Sequence, residues 1–152
     1  MKVCYQLVLL ISGIGTLAGC GTASASPKSE SPLAPVKGTV SLDGKPLEGA
    51  TMIFAPQASK MGDGAIGVTD ASGNYEATAG GATGAPIGSY KVTISRLVDP
   101  AGKPVVATLE TPPANLGARE SMPPKFSDHA VSMLKCTVAA GGGTFDFKLT
   151  SR

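Results

Sequence analysis

Tryptophan is absent from this chain, aromatic side chains make up 5% of it, and His129 is its single histidine. Each scarcity excludes something. A lone imidazole builds no metal centre without unusual help, and His129, within Phe126-Ser127-Asp128-His129-Ala130, reads as a solvated loop residue. A serine triad has no Gly-x-Ser-x-Gly elbow to stand on, and nothing places a serine beside that imidazole. Sugar-binding faces present exposed aromatic platforms. Here Phe54, Tyr75, Tyr90, Phe145 and Phe147 all alternate inward, which leaves Phe126 as the candidate. Charge is nearly balanced, with 13 Lys and Arg against 11 Asp and Glu, so no basic field draws nucleic acid. The expectation is a chain that is not an enzyme and needs no cofactor. What is plentiful is Gly (20) and Pro (12), which disfavour long helices and suit short strands joined by turns.

The N-terminal segment carries the most specific signal. Leu7 to Ala18 is a run of twelve mostly apolar residues behind Lys2. Twelve are too few for a hydrocarbon core that needs about 20, and charge, apolar run and small residues in that order make an export signal. Leu17-Ala18-Gly19-Cys20 resembles a bacterial lipobox. That resemblance implies acylation of Cys20, palmitate among its chains, and cleavage just before it. Residues 1–19 are then the signal peptide, and 133 residues remain. The alternative is an ordinary secretory signal cut after Ala25, because Ala23-Ser24-Ala25 also meets the small-residue rule. Cys4 leaves with the signal on either cut, and Cys136 stands alone, which excludes an intrachain disulfide in spite of an oxidising compartment. The expected place is the cell envelope, with the membrane held through lipid on Cys20. Gly21, rather than Asp, resembles outer-membrane sorting where a cell has two membranes.

Residues 20–35 hold almost no large apolar side chain and no periodicity, and read as a flexible tether. From Val36 the pattern changes to period two. Val36, Gly38, Val40 and Leu42 share a face, followed by Ala50, Met52 and Phe54, then Ile66 and Val68, then Tyr75 and Ala77. Tyr90, Val92 and Ile94 make the clearest strand, and Leu134, Cys136 and Val138 are expected to form a hairpin across Gly141-Gly142-Gly143 with Phe145, Phe147 and Leu149. Seven short strands without a helix period predict an all-β domain over 36–152, a seven-stranded Greek-key β-sandwich of immunoglobulin-like kind. Pairing is expected to be antiparallel, since no crossover helix returns a parallel strand. The Pro-rich stretch 97–124 lacks alternation and is expected to be a surface loop, with room for brief edge pairing at Val105 to Leu109. It is the first suspect for contact with a partner.

Val36-Lys37-Gly38-Thr39-Val40, then Asp43-Gly44-Lys45-Pro46-Leu47-Glu48-Gly49-Ala50 and Phe54-Ala55-Pro56, resemble the opening of a carboxypeptidase regulatory-like domain. Thr69-Asp70-Ala71-Ser72-Gly73-Asn74-Tyr75 and Gly88-Ser89-Tyr90-Lys91-Val92 continue the likeness. Pro124-Lys125-Phe126-Ser127-Asp128 through Thr144-Phe145-Asp146-Phe147 is similar to the end of small bacterial lipoproteins that carry this domain. The resemblance implies a transthyretin-like β-sandwich, usually a non-catalytic accessory or interaction module. Enzymes that share or approach that fold need several histidines, whether for hydroxyisourate hydrolysis or for iron in intradiol dioxygenases.

Turn chemistry accounts for most of these motifs. Asp70 can accept hydrogen bonds from amides just beyond it, and Tyr90 can bury its ring and satisfy its hydroxyl on a neighbouring loop. Asp63, Asp70 and Asn74 are oxygen ligands near turns, without the density of a calcium loop. An isopeptide bond of adhesin type would place a Lys where Thr39 stands, and Lys37 and Asp146 alternate outward. The functional expectation is a membrane-anchored binding or structural module with a protein or cell-envelope partner. The alternative is an accessory subunit that positions an exported enzyme or transporter, and an enzyme with a transthyretin-like fold stands well behind both.

Overall fold

Period-two alternation becomes strand at every segment the sequence marks. The computed structural model describes residues 32–58, 64–106 and 117–152. In chain order the strands are β1 (Leu33–Ala34), β2 (Val36–Leu42), β3 (Lys45–Pro46), β4 (Thr51–Pro56), β5 (Ala65–Val68), β6 (Asn74–Glu76), β7 (Thr78–Ala79) and β8 (Ala82–Thr83). After them come β9 (Ala85–Pro86), β10 (Gly88–Ser95), β11 (Leu97–Val98), β12 (Arg119–Glu120), one helical turn α1 (Pro124–Ser127), β13 (Lys135–Val138), β14 (Gly143–Thr144) and β15 (Phe147–Leu149). The described chain is all-β, with its sheets packed over a shared core. Two-residue strands such as β1, β3 and β9 accompany the seven expected segments, so seven is not the strand count.

One sheet runs β13-β10-β4-β5-β7-β8, antiparallel at each step. The other is centred on β2, with β6 and β3 antiparallel along one side and β14 and β15 parallel along the other. Fully buried Tyr90, Phe54, Met52, Ile94, Val36, Val40, Val92 and Val138 fill the space between them, each large side chain contributing about 1.5–3 kcal/mol by leaving water. Phe54 meets Tyr90 edge-on with ring centroids 6.3 Å apart, and lies 6.0 Å from Tyr75, which in turn lies 6.4 Å from Phe147. This aromatic chain links the two sheets. The Tyr90 hydroxyl donates to the Pro86 carbonyl at 2.6 Å, the corner role that its place after Gly88 suggests.

Two pairing expectations are overturned. β13 does not form a hairpin with β14 and β15: it pairs with β10, Cys136 opposite Tyr90, while the chain beyond it crosses to the β2 sheet. The crossing is made at Gly142, in the left-handed region at φ 77, and is locked where the Gly143 N–H donates to the Pro35 carbonyl at 2.9 Å. Nor is all pairing antiparallel. β14 and β15 run parallel to β2 because almost the whole domain, rather than one helix, serves as the connection between them.

Two boundaries shift as well. Leu33 and Ala34, assigned by composition to the tether, pair with Pro86 and Ala85, and Ala34 is buried, so the folded domain begins before Val36. The stretch 97–124 is not loop throughout. Leu97 and Val98 pair with Glu120 and Arg119, Val98 bridges Pro104, and Val98 and Met122 are both buried. Residues 107–116 lie outside the described residues, as do residues 107–109 of the expected edge pairing.

Cys136 faces inward and is buried, and burial pushes its thiol up to about 11. The folded chain therefore keeps the proton to higher pH than the unfolded chain does. That contribution to stability is complete below the ordinary value of 9.0 and is lost as pH rises through 11. Thiol reagents at neutral pH are expected to label Cys136 only on unfolding. Cys136→Ala is expected to cost on the order of 1 kcal/mol and Cys136→Asp several times more, measured by denaturant melts. Prompt labelling of native protein contradicts the register.

Candidate functional site

β2 and β10 both run away from the N-terminal end of the sandwich, and their last residues converge at the other end. β2 hands over to β3 through the two-residue turn Asp43-Gly44, with φ of 51 and 80, the geometry that matches the twist of a hairpin. The Asp43 carboxylate accepts the Ser151 N–H at 3.0 Å. That bond and one from the Ser151 side chain, with Lys125 and Lys45 nearby, hold its carboxyl below the ordinary carboxylate range. Asp70 shapes the adjoining turn: its Oδ1 accepts the Ser72 N–H at 2.8 Å and the Asn74 N–H at 2.9 Å. Bonds from the Asn74 backbone and side chain, then from Ser72, lower its pKa.

Between these turns opens a cleft of about 410 Å³, with Leu42 and Leu47 as its apolar part and Asp43, Lys45, Glu48 and Arg96 as its charged part. Arg96 is held on three sides. Its Nε donates to the Glu48 carbonyl at 2.8 Å, its backbone N–H donates to Glu120 Oε1 at 2.9 Å, and its carbonyl accepts the Ser121 N–H at 2.9 Å. Glu120 also accepts from the Met122 N–H and from the Ser95 hydroxyl, so one carboxylate ties the β11–β12 ribbon to the end of β10. Next to Glu48, Gly49 carries Pro104 packed so tightly on it that any side chain there would strike the proline ring. Through Arg96 the cleft adjoins the base of the Pro-rich stretch. Its charges of both signs over an apolar floor suit a polar segment of another chain.

Cys20, expected to carry lipid, lies outside the described residues, and so does Asp63. Asp70 and Asn74 come together, but Asp70 Oδ1 serves the turn and Oδ2 accepts the Asn74 side-chain amide at 3.2 Å. Among the described residues no three potential ligands of His, Cys, Asp or Glu type gather, and no helix is long and apolar enough to cross a membrane. His129 is exposed in the turn after α1. Phe126 is half-buried against the core rather than presented as a platform. Asp146 Oδ1 accepts the Thr39 N–H and its hydroxyl, each at 2.9 Å, which occupies that carboxylate with Thr39. Arg96 is the site residue that sequence reasoning missed. Its signal was a cation ending the clearest strand, just where alternation stops.

Fold and cleft together define an all-β sandwich with a cleft of charged and apolar side chains at one end. The chain matches no protein-family model, no curated protein and no solved structure.

Proposed function

We propose that this protein is a lipid-anchored module of the cell envelope, a carboxypeptidase regulatory-like domain that performs no chemistry and binds a partner with the cleft end of its sandwich. The observation that supports the reading is that the described chain enters the sandwich at the end opposite the cleft. The described chain enters at β1, where Leu33 and Ala34 pair with β9, and the cleft opens at the far ends of β2 and β10. Seven residues of β2 at about 3.3 Å each put roughly 20 Å between the two ends. A tether at one end therefore leaves the other free. The apolar run ending in Cys20 supports export and lipidation, and the ordered set of turn motifs supports the domain type.

Crosslinking in intact cells followed by affinity capture tests the reading. Wild-type protein is expected to bring down a defined partner, and reversing both cations (Arg96→Glu with Lys45→Glu) is expected to reduce that capture at least tenfold at unchanged melting temperature. Replacing residues 107–116 with a short Gly/Ser linker is expected to weaken capture also. The whole of 97–124 cannot be exchanged for this purpose, since Val98 and Met122 belong to the buried interior. Capture that survives both changes places the contact elsewhere. A partner recovered in one-to-one amount identifies the module as an accessory subunit.

A further inference from the structure

The six-stranded sheet has its inner face in the core, and its outer face is open along β4 and β5, while on β10 Thr93 is buried and Lys91 Nζ donates to the Ala130 carbonyl at 3.4 Å. On β5 the buried residues are Ala65 and Gly67, so the two large ones point outward: Ile66 is 52% exposed and Val68 41%. Ile66 stands directly opposite Ile53 of β4, itself 45% exposed, and Ile53 stands opposite Thr93 of β10. The register of β10 with β13, continued by the Val92 N–H bond to the Leu134 carbonyl, brings Met133 level with Thr93. Met133 is 87% exposed. Ile53 and Ile66 therefore form an apolar pair across β4 and β5 with Val68 beside them, and Met133 stands at the same level beyond the buried Thr93.

The next row towards the N-terminal end is cationic. Lys91 and Lys135 are direct cross-strand partners, and both point outward. Like charges set opposite each other destabilise a sheet unless something between or above them supplies the opposite sign. Lysine on an edge strand discourages edge-to-edge pairing, which accounts for Lys135 on β13, whereas Lys91 on the interior strand β10 donates from Nζ to the Ala130 carbonyl, an acceptor without formal charge. The outward positions of β13, β10, β4 and β5 hold no carboxylate. Glu120, which reaches Ser95 from the ribbon, is taken up by its bonds to Ser95, Arg96 and Met122. A second copy laid on this face would bring four lysines together without a counter-charge. The occupant must offer negative charge beside apolar depth.

We propose that this face docks on the surface of a bilayer containing acidic phospholipid, with Met133, Ile53 and Ile66 at the acyl boundary and Lys91 and Lys135 among the headgroups. The inference rests on the lipid anchor proposed above. Eleven residues lie between Cys20 and Pro32, and a chain of that length reaches at most about 40 Å when fully extended. The bilayer is then always within reach, and a patch too small to bind a membrane from solution suffices once the encounter is intramolecular. Docked in this way the domain lies on its side, and the cleft opens along the membrane rather than away from it. That is the orientation a membrane-embedded partner requires.

The test uses the full-length gene product, extracted from membranes and reconstituted into vesicles of phosphatidylcholine alone or with phosphatidylglycerol. A fluorophore is placed on Thr78→Cys, outward on the same face, or on Lys148→Cys, outward on the opposite sheet. A lipid-borne quencher reads proximity to the bilayer. The expected result is several-fold stronger quenching at residue 78 than at residue 148 in the acidic vesicles, with the difference reduced in neutral ones. Ile53→Ser with Ile66→Ser is expected to abolish the difference at unchanged melting temperature. Equal quenching at both positions in protein that floats with the vesicles overturns the docking and leaves the anchor standing, and points the face towards an acidic protein instead. Protein that fails to float overturns both.

Discussion

Gly38→Ala is expected to destabilise the domain by about 3–5 kcal/mol, a larger effect than any surface change should produce. Gly38 lies on the inner side of β2, where the Phe145 carbonyl presses against the strand, and an added Cβ would overlap that oxygen and come within 2.6 Å of its carbon. Backbone cannot step aside as a flexible side chain does. The same carbonyl accepts the Tyr75 hydroxyl at 2.8 Å, so moving it leaves a part-buried donor without a partner. Burial, and after it the neighbouring Cys136 and Asp146, raise the Tyr75 pKa, and an unpaired phenol there costs a further 1–3 kcal/mol or so. The melting temperature should fall by roughly 10 °C or more. Gly44→Ala is the control: a Cβ there meets nothing within 4 Å, and only the positive φ opposes it, at about 1 kcal/mol. A Gly38→Ala protein that melts like wild type would contradict the parallel pairing of β2 with β14 and β15.

The second large effect concerns Cys20. If it carries two or three acyl chains, each buried methylene contributes about 0.8 kcal/mol and the protein stays on the bilayer through extraction with salt. Cys20→Ala is expected to remove that attachment completely, leaving either soluble protein or an unprocessed precursor, as read by fractionation and immunoblotting. The folded domain should be unchanged in melting temperature, because Cys20 precedes the first described strand by more than ten residues. Cys20→Ala protein that remains in the membrane fraction as processed chain contradicts lipid attachment at this residue.

Local structure was legible in the sequence, and long-range pairing was not. Alternation placed Met52, Phe54, Tyr90, Val92 and Ile94 inward, and all five are buried. Asp70 and Tyr90 make the bonds that their local context suggests. The three glycines 141–143 look like hairpin chemistry, yet what decides their path is the Pro35 carbonyl, more than a hundred residues earlier in the chain. The parallel contact of Phe147 with Val40 has the same character: no local pattern announces a partner at that separation. The tether's end was misplaced because Leu33 and Ala34 have no periodicity of their own. Their strand exists only because Ala85 and Pro86 are there to pair with them. Period two also marked Ile66 and Val68 as strand without saying which side they serve, and on β5 the small residues took the core.

Of the cleft, the turn at Asp43-Gly44 could be read directly, while Arg96 and Glu120 could not. They meet only after β10 and the ribbon have folded, and a lone charge near a strand end resembles any solvated residue until its partners are known. Contact surfaces assembled from several turns are hidden from a one-dimensional reading in just this way.

Attachment of one end of the sandwich to a membrane is what separates an anchored module from a freely secreted one. The most direct measurement is the mass of the N-terminal peptide of protein purified from membranes. The prediction is a peptide beginning at Cys20 and carrying the added mass of the lipid. A peptide beginning at Ser26 with no modification would contradict it.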